Sequence, residues 1–322
     1  MKLIFMGTPE FAVPVLQQLI ADGYEIPGVF TQPDRPAGRG HKFHAPPVKV
    51  LASSREIPVH QPEKIKKNEE VRRVFEEARP DAAVVAAYGK ILPEWLLSIP
   101  RLGCINVHSS LLPKYRGAAP INWAIVHGET VTGVTIMQMD AGMDTGPTWA
   151  QREMEIGPGE NAIELTERLS RIGAELLSET LPKIENGSIR AVPQDENLAS
   201  YAPMLKREDG LIDWAQPAIG IANRVRGFQP WPGAYTIFRG RRLIVWLAEP
   251  MARDPDVTFE GVEGGQTRPG SVLSIDKEGL TVLCGNGTGL RLQEVQVEGK
   301  RRVGARDFAN GVHLSTAGRI SD

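Results

Sequence analysis

Short, wholly apolar runs that alternate with helical patterns constrain this chain more than any other feature. Residues 3–6 and 82–88 are such runs, and each has the length of one β-strand. A strand that is apolar on both faces is covered on both faces, as in a parallel sheet with helices on either side. Residues 11–21 follow the first run with an apolar stripe at helical spacing. The pattern predicts a doubly wound, mostly parallel, Rossmann-like α/β sheet.

The other elements of this sheet follow from the same patterns. Strands are predicted at 25–31, 104–108 and 134–139, and helices at 48–55, 68–78 and 161–185.

The length of 322 residues predicts two domains. Residues 190–207 contain prolines and polar residues without periodicity, which is typical of a linker. Residues 208–314 contain short strand patterns separated by glycine-rich turns, which predict a smaller, OB-like β-barrel. We therefore expect an α/β domain over residues 1–189, followed by the linker and the barrel.

Charge and cysteine content exclude several classes of protein. There are 37 Lys and Arg against 39 Asp and Glu, a net charge of -2, so the whole molecule is not a general polyanion binder. A local basic patch remains compatible with nucleic-acid binding. Cys104 and Cys284 lie far apart, which argues against a disulfide framework or a cysteine-based zinc site. No apolar run approaches the roughly 18 residues of a membrane span, so we expect a cytoplasmic protein.

The turn after the first predicted strand does not fit dinucleotide binding. That fingerprint needs three spaced glycines, so that the backbone can approach a pyrophosphate. Here only Gly7 is present, and the acidic Glu10 would repel phosphate. We expect a tight structural turn instead, with Thr8 capping the next helix and Pro9 in its first turn.

Asn106 and His108 carry the strongest chemical signal. They lie two positions apart at the end of a predicted parallel strand, so their side chains point to one face, where open α/β sheets bind ligands. An amide that stabilises an oxyanion and an imidazole that moves protons are what acyl transfer requires. The glycine-rich segment 140–146 can bring Asp140 or Asp144 toward His108. These residues leave several acyl and amide reactions open, and each is also compatible with a structural role.

The same residues resemble the signature of folate-dependent formyltransferases. The resemblance lies in Asn106, His108, the run 110–117, and Asp144 within 139–146. It implies that Asn106, His108 and Asp144 are catalytic, that 10-formyltetrahydrofolate is the formyl donor, and that no metal takes part. In the implied reaction the substrate amine attacks the formyl carbon, Asn106 donates to the oxyanion, His108 transfers protons, and Asp144 orients His108.

The resemblance also implies a folate site, held largely by main-chain groups. Its predicted residues are Ser110, Leu111, Leu112, Pro113, Tyr88, Ile91, Leu92, Asp140 and Gly142. For the apolar members of this set, ordinary core packing is the alternative.

The long segment 30–44 bears on the acceptor amine. Loops of this length are usually functional, and this one carries Arg35, Arg39 and Lys42 against a single carboxylate, that of Asp34. It resembles the insertion with which family members that formylate methionyl initiator tRNA enter the acceptor end. In the second domain, Arg241, Arg242 and Arg301 lie at predicted turns and are further candidates for binding the tRNA backbone.

The resemblance therefore predicts formylation of methionyl initiator tRNA for translation initiation. The alternatives are an aminosugar-nucleotide formyltransferase using the same folate donor, which does not need the basic segment, and a non-catalytic tRNA-binding module. We expect a monomer without an obligate protein partner and without a membrane segment.

Overall fold

The computed structural model describes residues 1–37, 42–251, 268–316 and 318–321, and its chain divides into two compact units. Unit 1 comprises Met1–Pro120, Val131–Glu155 and Glu164–Pro203. Unit 2 comprises Ile121–Thr130, Ile156–Ile163 and Met204–Asp322. Unit 2 therefore takes two segments from the stretch of sequence that otherwise builds unit 1.

A seven-stranded sheet forms the centre of unit 1. Its order is β10 (Thr148–Glu155), β9 (Val131–Gln138), β7 (Cys104–His108), β6 (Ala82–Ala86), β1 (Lys2–Gly7), β2 (Glu25–Phe30) and β5 (Val59–His60). The strands from β7 to β5 are parallel, whereas β9 and β10 pair antiparallel at one edge. All residues of β6 and β7 are buried, as wholly apolar runs predict. The mostly parallel α/β fold is confirmed.

The helices that the structure describes are α1 (Ala12–Ala21), α2 (Pro47–Ser54), α3 (Glu69–Ala78), α4 (Glu94–Ser98), α5 (Pro120–Val126), α6 (Ala162–Glu185), α7 (Ala218–Gly227) and α8 (Ala305–Gly311). The four helices predicted from the sequence, now α1, α2, α3 and α6, fall close to their predicted positions, whereas the other four that the structure describes were not predicted. Helix α3 begins after Asn68, whose side chain accepts hydrogen bonds from the main-chain N–H groups of Glu70 and Val71, and it buries Val71 and Phe75 on its apolar stripe.

The prediction that Thr8 caps α1 is wrong. Phe11 occupies the N-cap position of that helix and makes no side-chain cap. The Thr8 hydroxyl instead donates to the carbonyl oxygen of Tyr88 at 3.1 Å and accepts the N–H of Gln32 at 3.3 Å. These bonds tie the end of β1 to the segments that follow its two neighbouring strands, and this use of the hydroxyl competes with capping.

Two small sheets complete unit 1. Strands β3 (Arg35–Ala37) and β4 (Lys42–His44) form a hairpin inside the long segment 30–44. Strand β8 (Arg116–Gly117) pairs with β11 (Tyr201–Ala202), which lies within the predicted linker. By packing, the chain belongs to unit 1 as far as Pro203. The division at 190–207 stays a prediction for the domain boundary, but most of that segment is ordered against unit 1.

Unit 2 is built on an antiparallel sheet. Its order is β12 (Ala234–Phe238), β13 (Arg241–Pro250), β16 (Gly289–Val297), β15 (Gly279–Leu283) and β14 (Val272–Asp276), with β17 (Val303–Gly304) paired to β16. Helix α7 packs on β13, and α8 packs on β16. Between them lies a core that includes Leu243, Val245, Leu292 and Phe308. The smaller β domain is thus confirmed.

Segments 121–130 and 156–163 are integral to unit 2. The Asn122 amide donates to the carbonyl oxygen of Gly227 at 2.7 Å, and the Trp123 ring meets Phe228 edge-on at 5.6 Å between centroids. Arg226 donates to the carbonyl oxygen of Glu160 at 3.0 Å. Within the described ranges, no helix combines the length and apolar character that crossing a bilayer requires.

Candidate active site

Asn106 and His108 lie on the central strand β7, with relative exposures of 8% and 5%. Side chains two positions apart on a strand point to the same face, so the amide and the imidazole share one environment. The strand is flanked by β6 and β9, which fixes its backbone on both sides. The structure therefore brings this predicted pair together.

The two ring nitrogens of His108 face different partners. Nε2 lies 3.0 Å from the carbonyl oxygen of Tyr115, and Nδ1 lies 3.7 Å from Oδ2 of Asp144. A carbonyl oxygen only accepts, so Nε2 carries the proton in the neutral ring. The Nδ1 lone pair is then directed toward Asp144. Tyr115 has a positive φ of 61°, and this turn returns its carbonyl to the imidazole.

Asp144 completes a group of three polar side chains. Its Oδ1 lies 3.5 Å from the amide nitrogen of Asn106, and its Oδ2 accepts the main-chain N–H of Gly117 at 2.9 Å. The backbone of Asp144 has a φ of 53°, in the left-handed region that few non-glycine residues adopt. The predicted convergence of Asp144 on His108 thus occurs, and it depends on an unusual loop conformation.

This arrangement supports group transfer to an amine. The Asn106 amide can donate to an oxygen on which negative charge develops, and Nδ1 of His108 can take a proton. The carboxylate of Asp144 faces the ring, so it stabilises the imidazolium that proton uptake creates. The trio contains no serine, cysteine, threonine or lysine, and Asp144 and His108 face each other, which favours direct attack by a bound substrate amine.

The turn at 110–113 is held by its own hydrogen bonds. Ser110 Oγ donates to the carbonyl oxygen of Lys114 at 2.6 Å. The N–H of Leu112 donates to Thr135 Oγ1 at 3.1 Å, and its carbonyl oxygen accepts the Gln151 amide at 2.6 Å. Both main-chain groups of Leu112 are therefore engaged within the protein, and only its carbonyl oxygen keeps the capacity for a second hydrogen bond. Leu111 and Pro113 are half-buried on either side of it.

A cavity of about 850 Å³ borders Ile91, Leu92 and Ala141. Ile91 is 87% exposed, whereas the Leu92 side chain is buried. Within the part of the chain that the structure describes, the main-chain N–H and C=O groups of Ile91 and Leu92 have no hydrogen-bond partner. An apolar wall beside free main-chain donors and acceptors is what a flat heterocycle with polar edges requires.

Tyr88 is a core residue. Its side chain is 2% exposed and packs with Phe30, Phe75 and Leu96. Burial raises the pKa of its phenol, whose oxygen has no partner among the described residues. The carbonyl oxygen of Tyr88 accepts from Thr8 and Gln32. The structure therefore separates Tyr88 from the exposed members of the predicted folate set.

Asp140 and Gly142 shape the loop that carries Asp144. Asp140 Oδ1 accepts the N–H of Gly142 at 3.0 Å and the hydroxyl of Thr145 at 2.8 Å. Both Asp140 and Gly142 are exposed. Their contacts within the loop explain its sharp return and leave the loop surface open.

The base of the 30–44 segment is anchored through Asp34. Lys49 Nζ contacts its two carboxylate oxygens at 2.9 and 2.8 Å, and the Gln61 amide donates to it at 2.7 Å. The hydrogen bond from Gln61 and then the Lys49 ammonium lower the pKa of Asp34. The carboxylate of the segment is thus already neutralised by Lys49.

Among the described residues, Arg35 is consequently a cation without a carboxylate partner. It is exposed and makes no ion pair with the residues that the structure covers. Burial and then the charge of Arg35 lower the pKa of Lys90, the residue that precedes Ile91. Arg39 lies outside the described residues, and for Lys42 only the backbone in β4 is described.

The predicted basic residues of unit 2 lie on adjacent turns. Arg241 and Arg242 begin β13, and Arg301 lies between β16 and β17. The N–H of Glu298 donates to the carbonyl oxygen of Arg242 at 2.9 Å, which joins the two turns. Arg241 and Arg301 are exposed, whereas the Arg242 guanidinium stacks on the Tyr235 ring at 3.9 Å from its centroid.

Sequence reasoning missed several residues of this site. The carbonyl of Tyr115 and the N–H of Gly117 are main-chain groups, so residue type gives no sign of them. Arg116, Gln194 and Glu196 form a hydrogen-bonded cluster beside them. Arg116 is the one signal that was available, since it belongs to the run that carries the resemblance. Among the described residues, no group of three or more His, Cys, Asp or Glu is arranged to hold a metal ion.

Comparison with known proteins relates both units to formyl-transferring enzymes. The family described as formyl transferase matches residues 1–181, and the one described as formyl transferase, C-terminal domain, matches residues 204–313. A methionyl-tRNA formyltransferase of Geobacter metallireducens is 49% identical over 320 residues, covering 99% of this chain and 98% of the relative. The same enzyme of Koribacter versatilis is 50% identical over 320 residues, covering 99% and 98%.

Solved structures share the fold at much lower identity. An N-formyltransferase from Helicobacter canadensis, in complex with folinic acid and dTDP-3-aminofucose, aligns with a TM-score of 0.63 at 17% identity, over 91% of this chain and 98% of that one. HypX from Aquifex aeolicus, in complex with tetrahydrofolic acid, aligns with a TM-score of 0.60 at 17% identity, over 100% of this chain and 49% of that one.

Proposed function

This chain belongs to the formyl transferase family and, within it, to the methionyl-tRNA formyltransferases, and we propose which of its residues carry the reaction. It transfers the formyl group of 10-formyltetrahydrofolate to the free amino group of methionyl initiator tRNA, giving formylmethionyl-tRNA for translation initiation. The observation that carries the site assignment is the convergence of Asn106, His108 and Asp144 on one face of the sheet.

Each of the three residues has a separate role. The Asn106 amide donates to the formyl oxygen, on which negative charge develops as the methionine amine attacks the formyl carbon. Nδ1 of His108 accepts the proton that the amine loses, because the Tyr115 carbonyl keeps the other proton on Nε2. Asp144 holds the ring in place and faces the imidazolium at 3.7 Å.

The folate site lies along the cavity beside residues 91–92. The free main-chain groups of Ile91 and Leu92 suit the polar edge of a pterin, and the Leu92 side chain offers it an apolar wall. Leu111 and Pro113 of the 110–113 turn, with Asp140 and Gly142 of the neighbouring loop, are the other contacts we assign. Tyr88 and the buried Ser110 support the site from behind, since neither side chain reaches its surface.

The tRNA contacts fall on cationic residues in both units. Arg35 supports this assignment, since its side chain is exposed and makes no ion pair with any residue that the structure describes. Arg39 and Lys42 belong to the same segment and are assigned through its resemblance to the tRNA-binding insertion. Arg241 and Arg301 of unit 2 present exposed charges on adjoining turns, and Arg242 stacks beside them. Phosphate contacts of this kind dominate affinity for nucleic acid.

We also propose that the protein acts as a monomer in the cytoplasm. A single chain supplies all three proposed catalytic residues, so the site needs no partner copy or obligate partner protein. Its product is consumed by ribosomes that begin translation, and this favours the compartment in which they do so.

Formylation of charged tRNA tests the proposal. The purified protein is incubated with 10-formyltetrahydrofolate and methionyl initiator tRNA, and formylmethionine is measured after deacylation. Methionyl elongator tRNA is the matched control. We expect product on the initiator only. Product on an aminosugar nucleotide, with none on either tRNA, would contradict it and favour the alternative, which has support only from solved structures of 16–19% identity.

A further inference from the structure

Gln194 lies in the segment that separates the two predicted domains, yet its side chain contacts the loop of Asp144. Its amide nitrogen donates to the carbonyl oxygens of Asp144 at 2.8 Å and Gly146 at 2.7 Å. Its amide oxygen accepts from Nε of Arg116 at 3.0 Å and from Nη2 at 2.8 Å. One side chain therefore joins the 144–146 loop to the Arg116 side chain, although Gln194 lies 50 and 78 positions from Asp144 and Arg116 in the sequence.

The orientation of this amide is unambiguous. Main-chain carbonyl oxygens only accept hydrogen bonds, and a guanidinium only donates them. The two N–H groups of Gln194 must therefore face Asp144 and Gly146, and its oxygen must face Arg116. All four hydrogen-bonding positions of the amide are occupied. A fully satisfied, half-buried amide holds its partners in fixed positions.

Arg116 connects Gln194 to the residues that contact the catalytic pair. Its side chain is fully buried, and a bidentate pair with Glu196 at 2.8 Å holds it from the other side. Its neighbour Tyr115 supplies the carbonyl that contacts His108, and its neighbour Gly117 supplies the N–H that contacts Asp144. Displacement of Arg116 would move both contacts of the catalytic pair.

Asp144 has a left-handed backbone conformation, and the hydrogen bonds from Gln194 stabilise it. A residue with side chain at φ 53° is held there by its surroundings rather than by its own preference. The bond from Gln194 to the Asp144 carbonyl acts on that residue itself, and the bond to Gly146 closes the loop behind it.

We propose that Gln194 is a positioning residue for the Asp144–His108 pair. It fixes the Asp144 carboxylate relative to the imidazole by clamping the 144–146 loop to Arg116. This inference rests on the catalytic roles proposed above, and it assigns a function in catalysis to a segment whose sequence predicts only a linker.

Two substitutions separate this role from a merely structural one. Gln194→Glu keeps an oxygen for Arg116 but turns a second oxygen toward the carbonyls of Asp144 and Gly146, where donors are needed. Gln194→Met removes both sets of bonds. If Gln194 acts through the loop, both variants lower kcat by about 10- to 100-fold, since small misplacement of catalytic groups has effects of this size. We expect KM for either substrate to change less than about threefold.

Gln229→Met is the matched control. Gln229 also donates to two main-chain carbonyl oxygens, those of Val225 at 3.2 Å and Trp246 at 2.8 Å, but it lies in unit 2. We expect its kcat within about twofold of the unchanged protein. Melting temperatures are measured for all variants, and assays are run below the lowest of them.

A double substitution decides the matter. On an Asp144→Asn background, Gln194→Glu should lower kcat by less than about twofold, because coupled residues are not additive. The positioning role alone would be overturned by either of two results. One is that Gln194→Glu lowers kcat by the same factor with and without Asp144→Asn, and the other is that Gln194→Glu is as active as the unchanged protein. Lack of formylation by the unchanged protein would overturn the catalytic roles as well, so the two failures are distinguishable.

Discussion

Nε2 of His108 lies 3.0 Å from the carbonyl oxygen of Tyr115. This contact fixes the tautomer of the neutral ring, with the proton on Nε2 and the lone pair on Nδ1. We expect nitrogen NMR of a histidine-labelled sample to report Nδ1 as the unprotonated nitrogen of His108 at a pH where the ring is neutral. A His108→Asn variant assigns the signal. A proton on Nδ1 instead would contradict the direction of proton transfer given above.

Loss of the Asp144 charge should affect turnover rather than binding. Asn at this position can still accept the N–H of Gly117 through its oxygen, but it no longer faces the imidazolium with a negative charge. We expect Asp144→Asn to lower kcat by about 100- to 10,000-fold, in the range of lost proton-transfer and electrostatic assistance.

Asp276→Asn is the control for this change, since Asp276 also accepts main-chain N–H groups, those of Glu278 and Gly279, at a hairpin of unit 2. Single-turnover formylation measures both variants. Equal rates for the two would remove Asp144 from the catalytic trio.

Arg35 should contribute to tRNA affinity through charge. Each phosphate contact adds roughly 0.7 to 0.9 to the slope of log affinity against log salt concentration. We expect Arg35→Ala to raise KM for methionyl initiator tRNA about fivefold, equivalent to roughly 1 kcal/mol. The magnitude of the slope should fall by roughly 0.7 to 0.9, the value for one phosphate contact. KM for 10-formyltetrahydrofolate should be unchanged.

Arg73→Ala removes another exposed arginine, on α3, where it pairs with Glu77, and serves as the reference. Steady-state assays from low to high salt distinguish the two variants. An unchanged slope for Arg35→Ala would exclude Arg35 from phosphate contact.

We expect Asp81 to contribute to the stability of unit 1 in a way that depends on pH. Its carboxylate accepts the N–H of Lys2 at 2.8 Å and pairs with Arg101 at 2.8 Å, so it joins the starts of β1 and β6 to the turn before β7. The hydrogen bond from Lys2 and then that from Arg101 lower the pKa of Asp81 from its ordinary value of 3.8. A lowered pKa in the folded state contributes stability above pH 3.8, which is lost as the pH falls through the folded value.

We therefore expect the difference in unfolding free energy between the unchanged protein and Asp81→Asn to be constant at neutral pH and to shrink below about pH 4. Denaturant titrations across this range measure it. Glu56→Gln, at an exposed site, is the comparison and should show no such trend. A difference that grew in acid would reverse the assigned sign.

Much of the sheet could be predicted because buried strands appear in the sequence as short apolar runs. The all-apolar run at 82–88 gives β6, and the spacing of Asn106 and His108 gives their common face. The existence of β10 could not be read in this way, since this edge strand is mostly half-buried or exposed and carries polar residues. The antiparallel direction of β9 could not be read either, because a buried strand shows an apolar run whichever way it pairs.

The fine structure of the site depends on partners that are distant in sequence. Gln194 meets Asp144 and Arg116 across 50 and 78 positions. A glutamine between one proline and two acidic residues is part of no periodic apolar pattern, so hydrophobicity gives no sign of its role. The glycines of 140–146 allowed a carboxylate to return toward His108, but the choice of Asp144 over Asp140 came only through resemblance, because a left-handed turn at an aspartate is not a preference of its sequence.

The interleaving of the two units has a consequence for how this protein can be divided. Unit 2 includes residues 121–130 and 156–163, and Asn122 and Glu160 hold Gly227 and Arg226 of its first long helix. A gene cut at the 190–207 segment would leave the carboxy-terminal half without these partners, even though the cut falls between the two family matches. Recombination at that point between relatives would therefore transfer a second domain that lacks part of its own structure. We expect substitutions in residues 121–130 and 156–163 to be accompanied in evolution by substitutions in the rest of unit 2.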